Sequence, residues 1–260
     1  MLGEISRAIH EMTNGKGVAT FDNVVTDDDC NVIKRIIESY EPDKYGSVRC
    51  ILDKSERLRE ILSSDLMLGI CSELFKVEFR LSSLGARVIP PDGNNDPEHY
   101  HVLHPHIDHP YREIINGNPG KQSIYYGIPL GLQVLLPLVD LDENNGATAY
   151  VPGSQNWYAP VSYESGFDRH PLERLCVKRG SLNMWSGPLW HSARPNQSQE
   201  NRVVITALYS PAFMKHPHLN RGTYSDEFLE GLPENLKALL GLNDPYPMTF
   251  EQPKKLDVAK

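Results

Sequence analysis

No stretch of the chain approaches the roughly 18 consecutive apolar residues that a membrane-spanning helix needs. The N-terminus, MLGEISRAIHEMTNG, has no apolar run of signal-peptide length. Basic residues are in deficit, 26 Lys and Arg against 34 Asp and Glu, for a net charge of −8. That argues against partners that need a basic face, whether nucleic acid or an anionic membrane. Cysteine is scarce: Cys30, Cys50, Cys71 and Cys176 are scattered and form no CxxC pair. A disulfide framework would be denser, so reduced thiols in a soluble, cytoplasmic protein are expected. There is no internal repeat, low-complexity tract or linker, and residues 1–260 read as one domain.

What is present is a helical beginning, a β-rich body and a helical end. GVATFDNVV (17–25) reads as a short strand. A helix follows, with Thr26 as N-cap, Asp29 three residues on, and Val32, Ile33, Ile36, Ile37 and Tyr40 as its apolar face. A second amphipathic helix is expected over 55–75, with Leu58, Ile61, Leu62, Leu66 and Ile70 in its stripe. The helices thus occupy 27–76, the β core about 77–212, and a helical tail, interrupted at Pro233, 213–260.

Within the core, FKVEFRLSSLGARVIPP alternates like a strand, and SIYYGIPLGLQVLLPLVDLD (123–142) is long and apolar. Pro129 and Pro137 point to broken or edge strands there. ATAYVPGS, GSLNMW and RVVITALYSP are further short strands. Many short strands with Gly/Pro turns predict a mainly β fold with flanking helices, a barrel or double-sheet jelly roll.

Histidine is concentrated. Five of ten, His99, His101, His104, His106 and His109, fall within eleven positions. On a strand, residues two apart share a face, so His106 and Asp108 project together, with His104 on the same side. With one distant histidine they make a two-histidine, one-carboxylate set, which covers one face of an octahedral iron. HPHIDH (104–109) also spells HxHxDH, similar to the motif of dinuclear zinc hydrolases, but the chain downstream offers mostly strands.

The segment after Trp190 supplies the rest. His191, 83 residues after Asp108, is the natural third ligand. Arg202 follows eleven residues later, across the turn RPNQSQEN, where an arginine fits the need for a bidentate carboxylate clamp.

HID (106–108), NGATAYVPGS (145–154), WH (190–191), PN (195–196) and Arg202 together resemble the phytanoyl-CoA dioxygenase family of Fe(II)/2-oxoglutarate-dependent oxygenases, over roughly residues 15–212. The resemblance implies a double-stranded β-helix, a cupin-like jelly roll. It implies His106, Asp108 and His191 as iron ligands, Arg202 as clamp for the distal carboxylate of 2-oxoglutarate, and Gln133 as a further contact to that cosubstrate. With O2, such an enzyme hydroxylates a small-molecule metabolite and releases succinate and CO2. Asp108 separates this chain from related halogenases, which lack that carboxylate. Two positions depart from the family pattern, Ala193 in place of a hydroxyl residue and Gln155 in place of histidine. Trp157, Trp185 and Trp190 read as packing residues. Tyr111, Arg112 and Tyr126 are near enough in sequence to line a pocket. A zinc hydrolase through HxHxDH, a cupin-like isomerase and a non-catalytic jelly roll that binds metal or 2-oxoglutarate are the competing readings.

Overall fold

The computed structural model describes residues 2–91, 104–108, 129–157, 161, 166–214 and 223–243. The chain opens with helix α1 (Leu2–Asn14), then β1 (Val18–Phe21), α2 (Asp27–Glu38), β2 (Ser47–Arg49), α3 (Glu56–Leu62) and α4 (Asp65–Phe75). β3 (Phe79–Ile89), β4 (Leu132–Pro137), β5 (Ala149–Tyr150), β6 (Glu173–Arg174), β7 (Leu182–Ser186), β8 (His191–Ser192) and β9 (Arg202–Pro211) form the β body. Two short helices, α5 (Asp226–Glu230) and α6 (Glu234–Leu239), follow.

Two antiparallel sheets make the double-stranded β-helix. The larger has the order β1-β7-β4-β9-β3-β2, the smaller β6-β5-β8. Residues of successive positions on β9 serve opposite faces. Val203, Ile205, Ala207 and Tyr209 join the core under the helices, while Arg202, Val204 and Thr206 face a cavity between the sheets. β4 divides likewise, with Leu132, Val134 and Leu136 toward the helices and Gln133 and Leu135 toward the cavity. The α-helices among the described residues pack on one face of the large sheet. Ile5, Ala8 and Met12 of α1, Ile33 and Ile37 of α2, and Leu236 and Leu239 of α6 share its core. A second apolar cluster, with Leu135, Trp185 and Val204 from the large sheet, Tyr150 from the small one and Leu175 just after β6, joins the two sheets.

Several elements differ from the sequence expectation. α1 was not anticipated as a helix; its face is narrow, with Ile5, Ala8 and Met12 at helical spacing. The helix expected over 55–75 is two. Ser63 Oγ donates to Arg59 O (2.9 Å) and Ser64 Oγ to Ile61 O (2.9 Å), drawing the chain out of the helical ladder. Ser64 then accepts from Met67 N–H and starts α4. Thr26 caps α2 as expected, accepting from Asp29 N–H (3.1 Å). β4 is an interior strand, not an edge. Pro137 is tolerated because it is the last residue of β4, and Leu138 N–H resumes the pairing with Val203 O (3.0 Å). Residues 123–128 of the long apolar run lie outside the described residues.

Candidate metal centre and its cavity

The backbone brings the HxD segment to His191. His106 and His191 exchange both main-chain hydrogen bonds, at 2.9 and 3.1 Å. Asp108 N–H donates to Gly187 O (2.9 Å), so the segment lies zipped along β8 and the turn before it. His106 forms an isolated bridge and not part of a longer strand, yet the alternation still holds locally.

Both imidazoles are oriented in the same way. His106 Nδ1 lies 2.7 Å from His104 O, and His191 Nδ1 lies 2.9 Å from Leu189 O. A carbonyl only accepts, so each Nδ1 carries the hydrogen and each Nε2 presents its lone pair. His191 Nε2 is 3.2 Å from Asp108 Oδ2, and His106 Nε2 is 4.0 Å from Asp108 Oδ1. One ligand atom from each residue can be chosen so that all three lie within 4.8 Å of one another. Lone pairs facing a carboxylate at this range are stabilised by a cation among them, so the donor set fits a divalent metal. Carbonyl-tethered Nδ1 atoms are the usual way such ligands are aimed.

Trp185 approaches the same carboxylate. Its indole Nε1–H donates to Asp108 Oδ2 (3.0 Å), and its ring meets His191 edge-on, centroids 5.0 Å apart.

Arg202 enters the cavity from the start of β9. It is 4% exposed, and its Nη1 donates to the carbonyl of Gly146. Its Nε finds no hydrogen-bond partner. No carboxylate pairs with it among the described residues. Burial first, then the positive Arg174 nearby, lower its pKa to about 10. A buried cation without a counter-charge is costly, and an incoming carboxylate would supply what is missing.

Two quoted motifs hold Arg202 there. In NG (145–146), Asn145 and Asp142 exchange hydrogen bonds of 2.8 and 3.0 Å between side-chain oxygens and main-chain N–H groups. Gly146 at φ 80° then turns its carbonyl toward Arg202. In PN (195–196), buried Asn196 donates to Ile89 O (2.9 Å) and Glu200 O (2.8 Å). Ile89 is the register partner of Arg202, so the β8–β9 turn is clamped where the arginine begins.

The cavity has a volume of about 100 Å³. His106, Asp108, His191, Arg202 and Gln133 all line it, so the expected ligands and cosubstrate contacts face one space. Arg87, Leu135, Thr148, Trp185 and Thr206 also line it and were not anticipated. For Thr206 the alternation from Arg202 was the available signal. His104 contributes its backbone carbonyl to His106 and stands outside the metal-competent group. The four-ligand zinc set is therefore not assembled from the described residues. His99, His101, His109, Tyr111, Arg112 and Tyr126 lie outside the described residues. Trp157 and Trp190 pack against one another, centroids 5.1 Å apart, as the sequence reading expected.

The fold and site together define a double-stranded β-helix with a His–Asp–His cluster in the cavity between its sheets. The model of the phytanoyl-CoA dioxygenase family matches residues 93–204. The family resemblance read from the motifs thus holds over that segment, and the opening strand and helix lie outside it. Two relatives from Aspergillus fumigatus are similar. Dioxygenase af480 is 30% identical over 115 residues, 43% of this chain and 36% of that protein. Dioxygenase sphC is 22% identical over 199 residues, 76% of this chain and 52% of that protein. The matched stretches thus span between about a third and a half of those relatives' lengths. Among solved structures, the non-heme α-ketoglutarate-dependent epimerase SnoN from nogalamycin biosynthesis matches with a TM-score of 0.58 at 17% identity, covering 81% of this chain and 84% of that one. That likeness shows the fold. No helix among the described residues is long and apolar enough to cross a membrane.

Proposed function

We propose that this chain is an Fe(II)- and 2-oxoglutarate-dependent dioxygenase that hydroxylates a small-molecule metabolite, residues 1–260 acting as one domain. The observation that carries the reading is the joint placement of His106, Asp108 and His191 with buried Arg202 in one cavity. Bound there, iron(II) supplies activation of dioxygen, coupled to decarboxylation of 2-oxoglutarate to succinate and CO2.

The protein's own share is position and exclusion of water. His106 and His191 offer Nε2 because carbonyls occupy their Nδ1–H groups. Asp108 supplies the single negative ligand. Three ligands on one face leave room for the cosubstrate and O2. The guanidinium of Arg202 pairs with the far carboxylate of 2-oxoglutarate, and its unpartnered Nε provides a second donor for that group. Gln133 lines the wall as a further contact to the cosubstrate. Leu135, Leu141 and Val204 add apolar wall to the same cavity.

The test adds iron(II) anaerobically, then 2-oxoglutarate, and looks for the visible charge-transfer band of the chelate. A screen of metabolites for succinate release then follows, with mass spectrometry of the products. Hydroxylation gives a product heavier by one oxygen atom. Absence of the band in the wild-type chain would sink the reading. Hydrolytic activity with zinc that ignores 2-oxoglutarate would favour the hydrolase.

A further inference from the structure

We infer that Trp185 is a positioning residue for the Asp108 carboxylate: its indole N–H holds one oxygen, so that Asp108 offers the metal a single oxygen in a fixed orientation. The inference rests on the metal reading above. Asp108 Oδ2 accepts the indole N–H at 3.0 Å and lies 3.2 Å from His191 Nε2, while Oδ1 is the oxygen nearer His106 Nε2, at 4.0 Å. A carboxylate gripping the metal through both oxygens would take one further coordination position. A three-residue facial set works by keeping three positions open, so a donor that engages one oxygen preserves them.

The indole is itself held. Trp185 lies on β7, in register with Val18 of β1 on one side and Gln133 of β4 on the other. It is 3% exposed, and its ring belongs to the cluster that joins the sheets. The same ring abuts His191, so one side chain touches two of the three ligands from different elements. Packing alone would be served by phenylalanine. The directed N–H on a carboxylate in the cavity wall is what packing does not explain.

The experiment uses the full metal-free chain and Co(II) as the probe. Trp185→Phe keeps the ring and removes the donor. The expected result is Co(II) binding weaker by about 10- to 100-fold, with a changed visible cobalt spectrum that reports altered carboxylate coordination. The thermal midpoint of the metal-free variant reports packing separately. Wild-type affinity and an unchanged spectrum in Trp185→Phe overturn the inference alone. Failure of the wild-type chain to take Co(II), or equal binding by Asp108→Ala, overturns the metal reading and this inference together. Should Trp185→Phe not fold, nuclear magnetic resonance of the wild-type indole N–H groups decides, with Trp157→Phe and Trp190→Phe assigning the signals. A Trp185 indole proton protected from exchange and shifted by Zn(II) supports the contact. One that exchanges as readily as that of exposed Trp157 overturns it.

Discussion

The carbonyl oxygen of Gly146 accepts a hydrogen bond from Arg202 Nη1, joining the turn after β4 to the first residue of β9. The same oxygen also accepts Arg194 N–H (3.2 Å), so one backbone atom ties the arginine to the turn that carries it. A Cβ at Gly146 would collide with Arg194 O and lie 2.6 Å from Pro195 O, at a φ of 80° that side chains rarely adopt. Gly146→Ala is therefore expected to cost about 1–3 kcal/mol in urea unfolding. It should also weaken 2-oxoglutarate binding while leaving Co(II) binding near wild type.

Arg202→Lys should behave almost as badly as Arg202→Ala. Lysine keeps the charge but loses the fork, and the site offers Gly146 on one side and the cosubstrate on the other. Both variants should lose about 2–5 kcal/mol of 2-oxoglutarate affinity, read from titration of the chelate band. Iron binding should be retained, which separates the clamp from the ligands.

Asp108→Ala and His191→Ala should each abolish tight Fe(II) binding, since each removes one of three donors. His104→Ala should retain it, because His104 serves through its main-chain carbonyl. Isothermal titration with Co(II) under argon checks all three. Loss of binding in His104→Ala equal to that in Asp108→Ala would count against the assignment. Chelation of the metal by EDTA should stop succinate release, and Fe(II) should restore it.

Much of this centre was legible in the sequence. His106 and Asp108 share a face because alternation on an extended segment is a local rule, and it held even for a single bridge. His191 and Arg202 were found by residue type and spacing. The supports were not legible, because they are made of backbone atoms and cross-strand register. Gly146 acts through a carbonyl, Asn196 through the carbonyl of Ile89, 107 residues away, and that of nearby Glu200, and Trp185 through an indole N–H placed by its register with Gln133. The α3–α4 break escaped because the apolar stripe runs on across Ser63 and Ser64, while two hydroxyls decide the backbone.

Asn196→Ala should destabilise the fold by about 1–3 kcal/mol, since Ile89 O and Glu200 O both lose a buried donor. Its 2-oxoglutarate affinity should fall too, through the shared register of Ile89 and Arg202. Ser64→Ala is the contrasting case. It should cost about 1 kcal/mol through the lost cap on α4, with metal and 2-oxoglutarate binding unchanged. Chemical denaturation paired with both titrations distinguishes the two.

The alternation along β9 makes that strand a partition between two separate chemistries. Its odd-numbered side chains, Val203, Ile205 and Ala207, answer to the helices, and its even-numbered ones, Arg202, Val204 and Thr206, to whatever occupies the cavity. Substitutions at 204 and 206 can therefore reshape what the cavity accepts without disturbing the helical layer. Insertion of a single residue into the turn before β9 would do the opposite. If the downstream pairing slipped with it, the guanidinium would be aimed at the helices and the apolar row would be exposed to the metal, so both faces would fail at once.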